Sequence, residues 1–84
     1  MGACGYSASM KKRVVEVVAA NVRERRALLE WSQEDLAAAA GLHRTYVGAI
    51  ERAEKNVTLA TLERVADALG LAVSELVRDP KGSR

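Results

Sequence analysis

Between Ser32 and Arg52 the chain carries two short apolar-patterned runs separated by a single glycine, Gly41. A run of about eight residues makes barely two helical turns and is not stable alone in water. Each run must therefore bury its apolar face against the other and against a third element. The first run opens on Ser32 with Asp35 three residues later, the spacing of a capping box. Glu34 and Asp35 also suit the positive end of a helix dipole. Leu36, Ala37 and Ala40 fall on the inner face, and the alanines let a neighbouring helix approach closely. Gly41 supplies the left-handed backbone that stops this helix. The second run covers 44–52, with His43 at its N-cap position and Val47 and Ile50 facing inward. Arg44, Thr45, Gly48 and Ala49 are expected on its outer side.

The flanking pattern supplies the third element. A longer helix is expected over 10–29, with Ser9 as its N-cap. Val14, Val18, Val22, Arg25 and Leu29 share one helical face, and Val15, Val22, Arg26 and Leu29 share an overlapping one. Val14, Val15, Val17 and Val18 make more apolar surface than one packed face requires. That leaves a wide core stripe or a surface for a partner subunit. A helix over 59–69 is capped by Thr58, stopped by Gly70 and striped by Leu62, Val65, Ala66 and Leu69. A brief helix is expected over 73–77, and no strand pattern or repeat is present. The chain thus reads as an all-α domain of five helices over 10–78. Residues 1–9, rich in Gly, Ala and Ser, are expected as a flexible N-terminal arm, and 79–84 as a flexible tail.

Composition narrows the function classes. The residues are 49% hydrophobic, but Tyr6, Trp31 and Tyr46 are the only aromatics. That suits closely packed helices and offers little stacking capacity for single-stranded nucleic acid. Thirteen basic and 11 acidic residues leave a net charge of +2, so any contact with a polyanion must come from where charges sit. The single cysteine, Cys4, cannot form an internal disulfide, and no four-ligand set for zinc exists. No apolar run approaches the roughly 18–20 residues of a membrane span. The start of the chain lacks the myristoylation pattern, because Tyr6 stands where Ser or Thr is required. A cytoplasmic protein with no membrane partner is expected. There is no acid–base constellation, metal set or phosphate loop, so no enzyme, catalytic residue, metal or cofactor is expected.

Residues 22–77 resemble the lambda Cro/repressor-type helix-turn-helix family, also called the Xre family. The resemblance is carried by Arg26, by Ser32, Gln33, Glu34, Leu36 and Ala37, by Gly41 and Val47, by Ile50, Glu51 and Arg52, and by Thr61, Leu62, Val65, Ala66, Ala68, Leu69 and Gly70. Within the family, the small size and the phrase Arg44-Thr45-Tyr46-Val47 are similar to controller proteins of restriction–modification systems. Two positions depart from the family pattern. Glu30 stands where glycine usually precedes Trp31, and Ala53 stands where glycine usually follows Arg52. Alanine at positive φ costs on the order of 1 kcal/mol. The loop after the second short helix is therefore expected to take a different path.

The resemblance implies a sequence-specific regulator that lays the second short helix in the major groove of double-stranded DNA. Base contacts are expected from Arg44, Thr45 and Ala49, with His43 and Tyr46 at the edge. Arg44 can donate two parallel hydrogen bonds to guanine O6 and N7, worth roughly 1–3 kcal/mol of discrimination. Tyr46 either packs at the junction of the two short helices or reaches the DNA. Phosphate contacts are expected from Gln33, Arg52, Lys55 and Asn56, with Gln33 at a helix N-terminus that already favours an anion. Glu51, an acid near a DNA surface, is implied to pair with Arg26.

One short helix reads only a few base pairs, so a homodimer on an inverted repeat is expected. Its interface is assigned to Val73 and Val77, with Leu71 and Leu76 closing the core. Such a regulator represses by occupancy or activates by touching RNA polymerase. The alternative is an antitoxin or other protein-interaction module built on the same fold.

Overall fold

The computed structural model describes residues 3–54 and 56–78, with side chains described from Arg13 onward. Among them are five helices and no strand: α1 (Ala3–Leu29), α2 (Gln33–Ala40), α3 (Arg44–Glu51), α4 (Leu59–Leu69) and α5 (Val73–Leu76). The expected tail over 79–84 lies outside the described residues.

α1 begins at Ala3, not at Met10, so Ser9 is not its cap and the backbone of Ala3–Ser9, expected as an arm, continues the helix. The physical reason is that nothing in this stretch stops propagation. It has no proline, and one glycine costs only about 1 kcal/mol. Once the packed half of a helix is nucleated, each added residue gains a bond without a new nucleation cost. At 1.5 Å per residue the helix is about 40 Å long, which accounts for the 43 Å long dimension of the molecule.

The core gathers Val18 and Val22 of α1, Leu36, Ala37 and Ala40 of α2, Val47 and Ile50 of α3, Leu62, Val65, Ala66 and Leu69 of α4, and Leu76 of α5. Leu29, Trp31, Leu42, Tyr46, Val57, Leu71 and Val73 close its rim. Val14 remains exposed, so the excess valine surface of α1 is only partly used by the core. α3 packs on α1 and α2, whereas α5 packs on α1 and α4.

Capping chemistry sets the helix starts. Ser32 Oγ accepts from the Asp35 amide at 3.0 Å, and Asp35 Oδ2 accepts from the Ser32 amide at 2.8 Å. Thr58 Oγ1 accepts from the Thr61 amide at 3.2 Å. At the other ends α1, α2, α3 and α4 stop in the same way. A left-handed residue is followed by an amide that reaches back to the carbonyl five positions before it. Gly41 (φ 71°) and Gly70 (φ 74°) serve α2 and α4, with Leu42 N donating to Ala37 O and Leu71 N to Ala66 O. Glu30 (φ 60°) and Ala53 (φ 59°) serve α1 and α3, with Trp31 N donating to Arg26 O and Glu54 N to Ala49 O.

The loop after α3 therefore keeps the turn that a glycine would make, contrary to the expected change of path. Ala53 adopts the left-handed conformation because the two hydrogen bonds of the turn and the packing of α3 hold it there. The strain has a testable consequence. Ala53→Gly is expected to stabilise the fold by about 1 kcal/mol, which in a domain of this size raises the melting temperature by about 4–8 °C. Thermal unfolding followed by circular dichroism reads this directly. Glu30→Gly is expected to act in the same direction.

α1 also closes the C-terminal ends of three other helices. Asn21, buried in the packed half of α1, donates through Nδ2 to Leu76 O at 2.6 Å and to Arg78 O at 2.7 Å, beyond α5. Arg25 Nε donates to Leu69 O at 3.0 Å, the last carbonyl of α4. Arg23 Nη1 donates to Glu51 O at 2.6 Å, the last carbonyl of α3. Unpaired C-terminal carbonyls carry partial negative charge, so two arginines and an amide are suitable partners.

Candidate nucleic-acid interface

The exposed part of α3 is its first turn. His43 is the N-cap residue, with extended backbone (φ −79°, ψ 143°) and no side-chain cap bond. His43, Arg44 and Thr45 are exposed, and Tyr46 is half-buried against the core. From Val47 to Glu51 every residue is buried. Ala49 retains only 8% of its surface, which removes it from the outer face expected of a base-contacting residue. α3 has only eight residues, and the turn that ends it folds back to the Ala49 carbonyl. The surface is left to the first turn.

The last turn of α3 is held by a buried charge. Glu51 is 4% exposed. Its carboxylate accepts from Arg26 Nε at 2.6 Å and Arg26 Nη2 at 2.9 Å, a bidentate pair, and from Gln33 Nε2 at 3.0 Å. Arg26 also donates through Nη1 to Trp31 O at 2.8 Å. Burial pushes the Glu51 carboxyl up. The hydrogen bonds from Arg26 and Gln33 and the charges of Arg26 and Arg23 outweigh burial and hold it below the usual carboxylate range. Glu51 thus ties α3 to α1 and to the start of α2 at once.

Gln33, expected as a phosphate ligand from its position at the start of α2, donates through Nε2 to Glu51, a partner that only the tertiary packing supplies. Gly48 lies beneath Arg52 and Gln33. A methyl group built there would sit 3.1 Å from Arg52 Nη1 and 3.6 Å from Gln33 Oε1. The missing side chain lets both groups lie against α3.

The exposed cations have acidic neighbours. Arg44 Nε lies 3.5 Å from Glu34 Oε2, across the gap between α2 and α3. Arg52 Nε donates to Glu54 Oε2 at 3.1 Å. Asn56 is exposed, and Lys55 lies outside the described residues. Of the residues assigned to a dimer interface, Val77 is 39% exposed. Val73 packs on the core rim of its own chain, so it offers less apolar surface to a partner than expected. Leu76 is fully buried and Leu71 lies at the rim.

Sequence reasoning missed Asn21, Arg23, Arg25, Glu34 and Glu54. The first three cap helix ends that are far away in sequence, and no local spacing announces such partners. Glu34 and Glu54 lie near the cations in the chain, and helix-dipole logic accounted for Glu34 without looking across the turn.

Among the described residues, no group of three or more His, Cys, Asp or Glu is placed to hold a metal. No helix among them is long and apolar enough to cross a membrane.

Comparison with known proteins agrees with this architecture. The model of the helix-turn-helix family HTH_3 matches residues 22–76. The chain is 50% identical over 64 residues to the control protein C.SmaI of Serratia marcescens, covering 76% of each. It superposes on the crystal structure of a hypothetical transcription factor from Neisseria with a TM-score of 0.78 and 44% identity, covering 81% of this chain and 78% of that one. For the restriction-modification controller protein C.AhdI of Aeromonas hydrophila the TM-score is 0.71 and the identity 39%, covering 74% of this chain and 94% of that one. With α2 and α3 joined through Gly41 and locked by Glu51, this chain belongs to the Xre-type helix-turn-helix family of DNA-binding regulators.

Proposed function

We propose that this protein is a controller-type transcriptional regulator that binds an inverted repeat in double-stranded DNA as a homodimer. The observation that carries the reading is the division of α3. Its first turn presents Arg44 and Thr45 to solvent, while its last turn is locked to α1 and α2 through Glu51. A helix held rigidly at one end with polar side chains exposed at the other is suited to enter a major groove.

In this reading Arg44 donates to a guanine edge, and Thr45 contacts a base or phosphate. His43 and Tyr46 border the same edge. Arg52, Lys55 and Asn56 flank the backbone, where each cation that neutralises a phosphate steepens the salt dependence by about one counterion. The relatives named as control proteins support the controller role. Dimerisation is assigned to the α5 side. That side is built on α1 and α4 and retains exposed Val77, with exposed Leu28 in a groove beside Leu71, Glu75 and Arg78. Joining two copies there leaves both α3 helices free. A cytoplasmic location follows from this role, and operator position relative to a promoter then decides between occlusion and contact with RNA polymerase.

The test is selection of bound duplexes from a random pool at about 150 mM salt, where non-specific binding is weak. Enrichment of an inverted repeat is the expected result. Enrichment of a single half-site without symmetry would overturn the dimer, and no enrichment would overturn the sequence-reading role.

A further inference from the structure

Arg44 and Arg52, the arginines of the DNA-facing surface, each meet a carboxylate of the same chain. Arg44 faces Glu34 at 3.5 Å, with 62% and 75% of the side chains exposed. Arg52 meets Glu54 at 3.1 Å, with 58% and 56% exposed. The two acids come from different places, one at the start of α2 and one just after α3. A carboxylate offers a guanidinium the same paired acceptor oxygens that a phosphate does, and the O6/N7 edge of guanine offers a similar pair.

We infer that Glu34 and Glu54 are built-in competitors for DNA, each occupying one guanidinium of the reading surface until a phosphate or base edge displaces it. The inference rests on the DNA-binding reading above and assigns those two acids a role within it. Exposed ion pairs are weak enough to be exchanged. Once displaced, the carboxylates remain beside the phosphates and oppose them. Both effects act in one direction and make binding weaker than the cations alone would allow. For a regulator that carries no ligand-sensing domain in its described residues, this raises the protein concentration at which the operator fills. Glu51, by contrast, is buried and fully engaged, and it takes no part in the exchange.

The test is fluorescence anisotropy on the selected duplex and on a scrambled one, over a range of salt, with the full chain and its Glu34→Gln, Glu54→Gln and Glu63→Gln variants. Glu63 is exposed on α4, outside both the DNA-facing turn and the α5 side assigned to dimerisation, and serves as a control for net charge. Glu34→Gln and Glu54→Gln are each expected to tighten binding about two- to fivefold per subunit, the scale of an exposed ion pair. The slope of log K against log salt should steepen by about one for each carboxylate removed per subunit. Glu63→Gln should change neither quantity. The inference is overturned if Glu34→Gln and Glu54→Gln bind no more tightly than the unmodified chain, or if Glu63→Gln gains as much as they do. Failure of the unmodified chain to bind any duplex would instead overturn the DNA reading itself. Melting temperatures measured in parallel separate a binding effect from a folding one, since Glu34 also supports the positive end of α2.

Discussion

Replacing Arg26 with alanine is expected to remove about 3–5 kcal/mol of folding stability, because it strands the Glu51 carboxylate in the interior. A domain of this size has a total stability on the order of 5–10 kcal/mol, so the variant should melt well over ten degrees lower or fail to fold at moderate temperature. The cause is desolvation rather than the loss of an attraction. Glu51 retains only 4% of its surface, and Arg26 supplies two of its three side-chain hydrogen bonds. Removing both partners together should cost much less than removing one. The double variant Arg26→Met with Glu51→Leu is therefore expected to be more stable than Arg26→Ala alone. Thermal and denaturant unfolding of the single and double variants check this, and an additive pair of losses would count against the buried-pair interpretation.

The same carboxylate makes stability depend on acid. Its pKa lies below the usual range in the folded protein, so the unfolded chain binds more protons there. The Glu51 contribution is complete above the unfolded value, about 4.3, and is lost as pH falls through the folded value. The melting temperature is expected to fall as pH drops below about 4, and this component of the fall should be absent in Glu51→Gln.

The second large effect is expected in recognition and not in stability. Arg44 is mostly exposed and pairs with the likewise exposed Glu34, so Arg44→Ala should leave unfolding within about 0.5 kcal/mol of the unmodified chain. On DNA the loss should be large. A bidentate arginine–guanine pair is worth roughly 1–3 kcal/mol, and a dimer makes it twice. The operator Kd is expected to rise by about 30-fold or more, with a much smaller change on scrambled duplex.

Local chemistry made much of the fold legible. The reciprocal bonds of Ser32 and Asp35, the Thr58 cap, the stops at Gly41 and Gly70 and the stripe of Leu62, Val65, Ala66 and Leu69 all depend on neighbours within a few residues, and they stand where spacing placed them. Glu30 and Ala53 mark the limit. Neither residue type announces a left-handed backbone, although both helices end in the turn that glycine would favour. In the site, periodicity assigned Arg44 and Thr45 to the surface correctly, because it reports which side of a helix faces the core. It does not report what lies over the other side, and so it misplaced Ala49. The Gln33 contact with Glu51 was hidden for a related reason. The position of Gln33 at a helix start was legible, but the hydrogen bond to Glu51 crosses from one helix to another. The capping of α3, α4 and α5 by Arg23, Arg25 and Asn21 is of the same kind, since each partner is at least 28 residues away.

The central claim is that the first turn of α3 reads base sequence. Its most direct test is to measure the affinity of the unmodified chain and of Arg44→Ala for the selected duplex and for a panel in which each base pair is changed in turn. The expected result is that one guanine in each half-site matters to the unmodified chain and is ignored by a folded Arg44→Ala variant. If the variant discriminates at every position as the unmodified chain does, or loses affinity equally on all duplexes, Arg44 is not a base reader and the claim is contradicted.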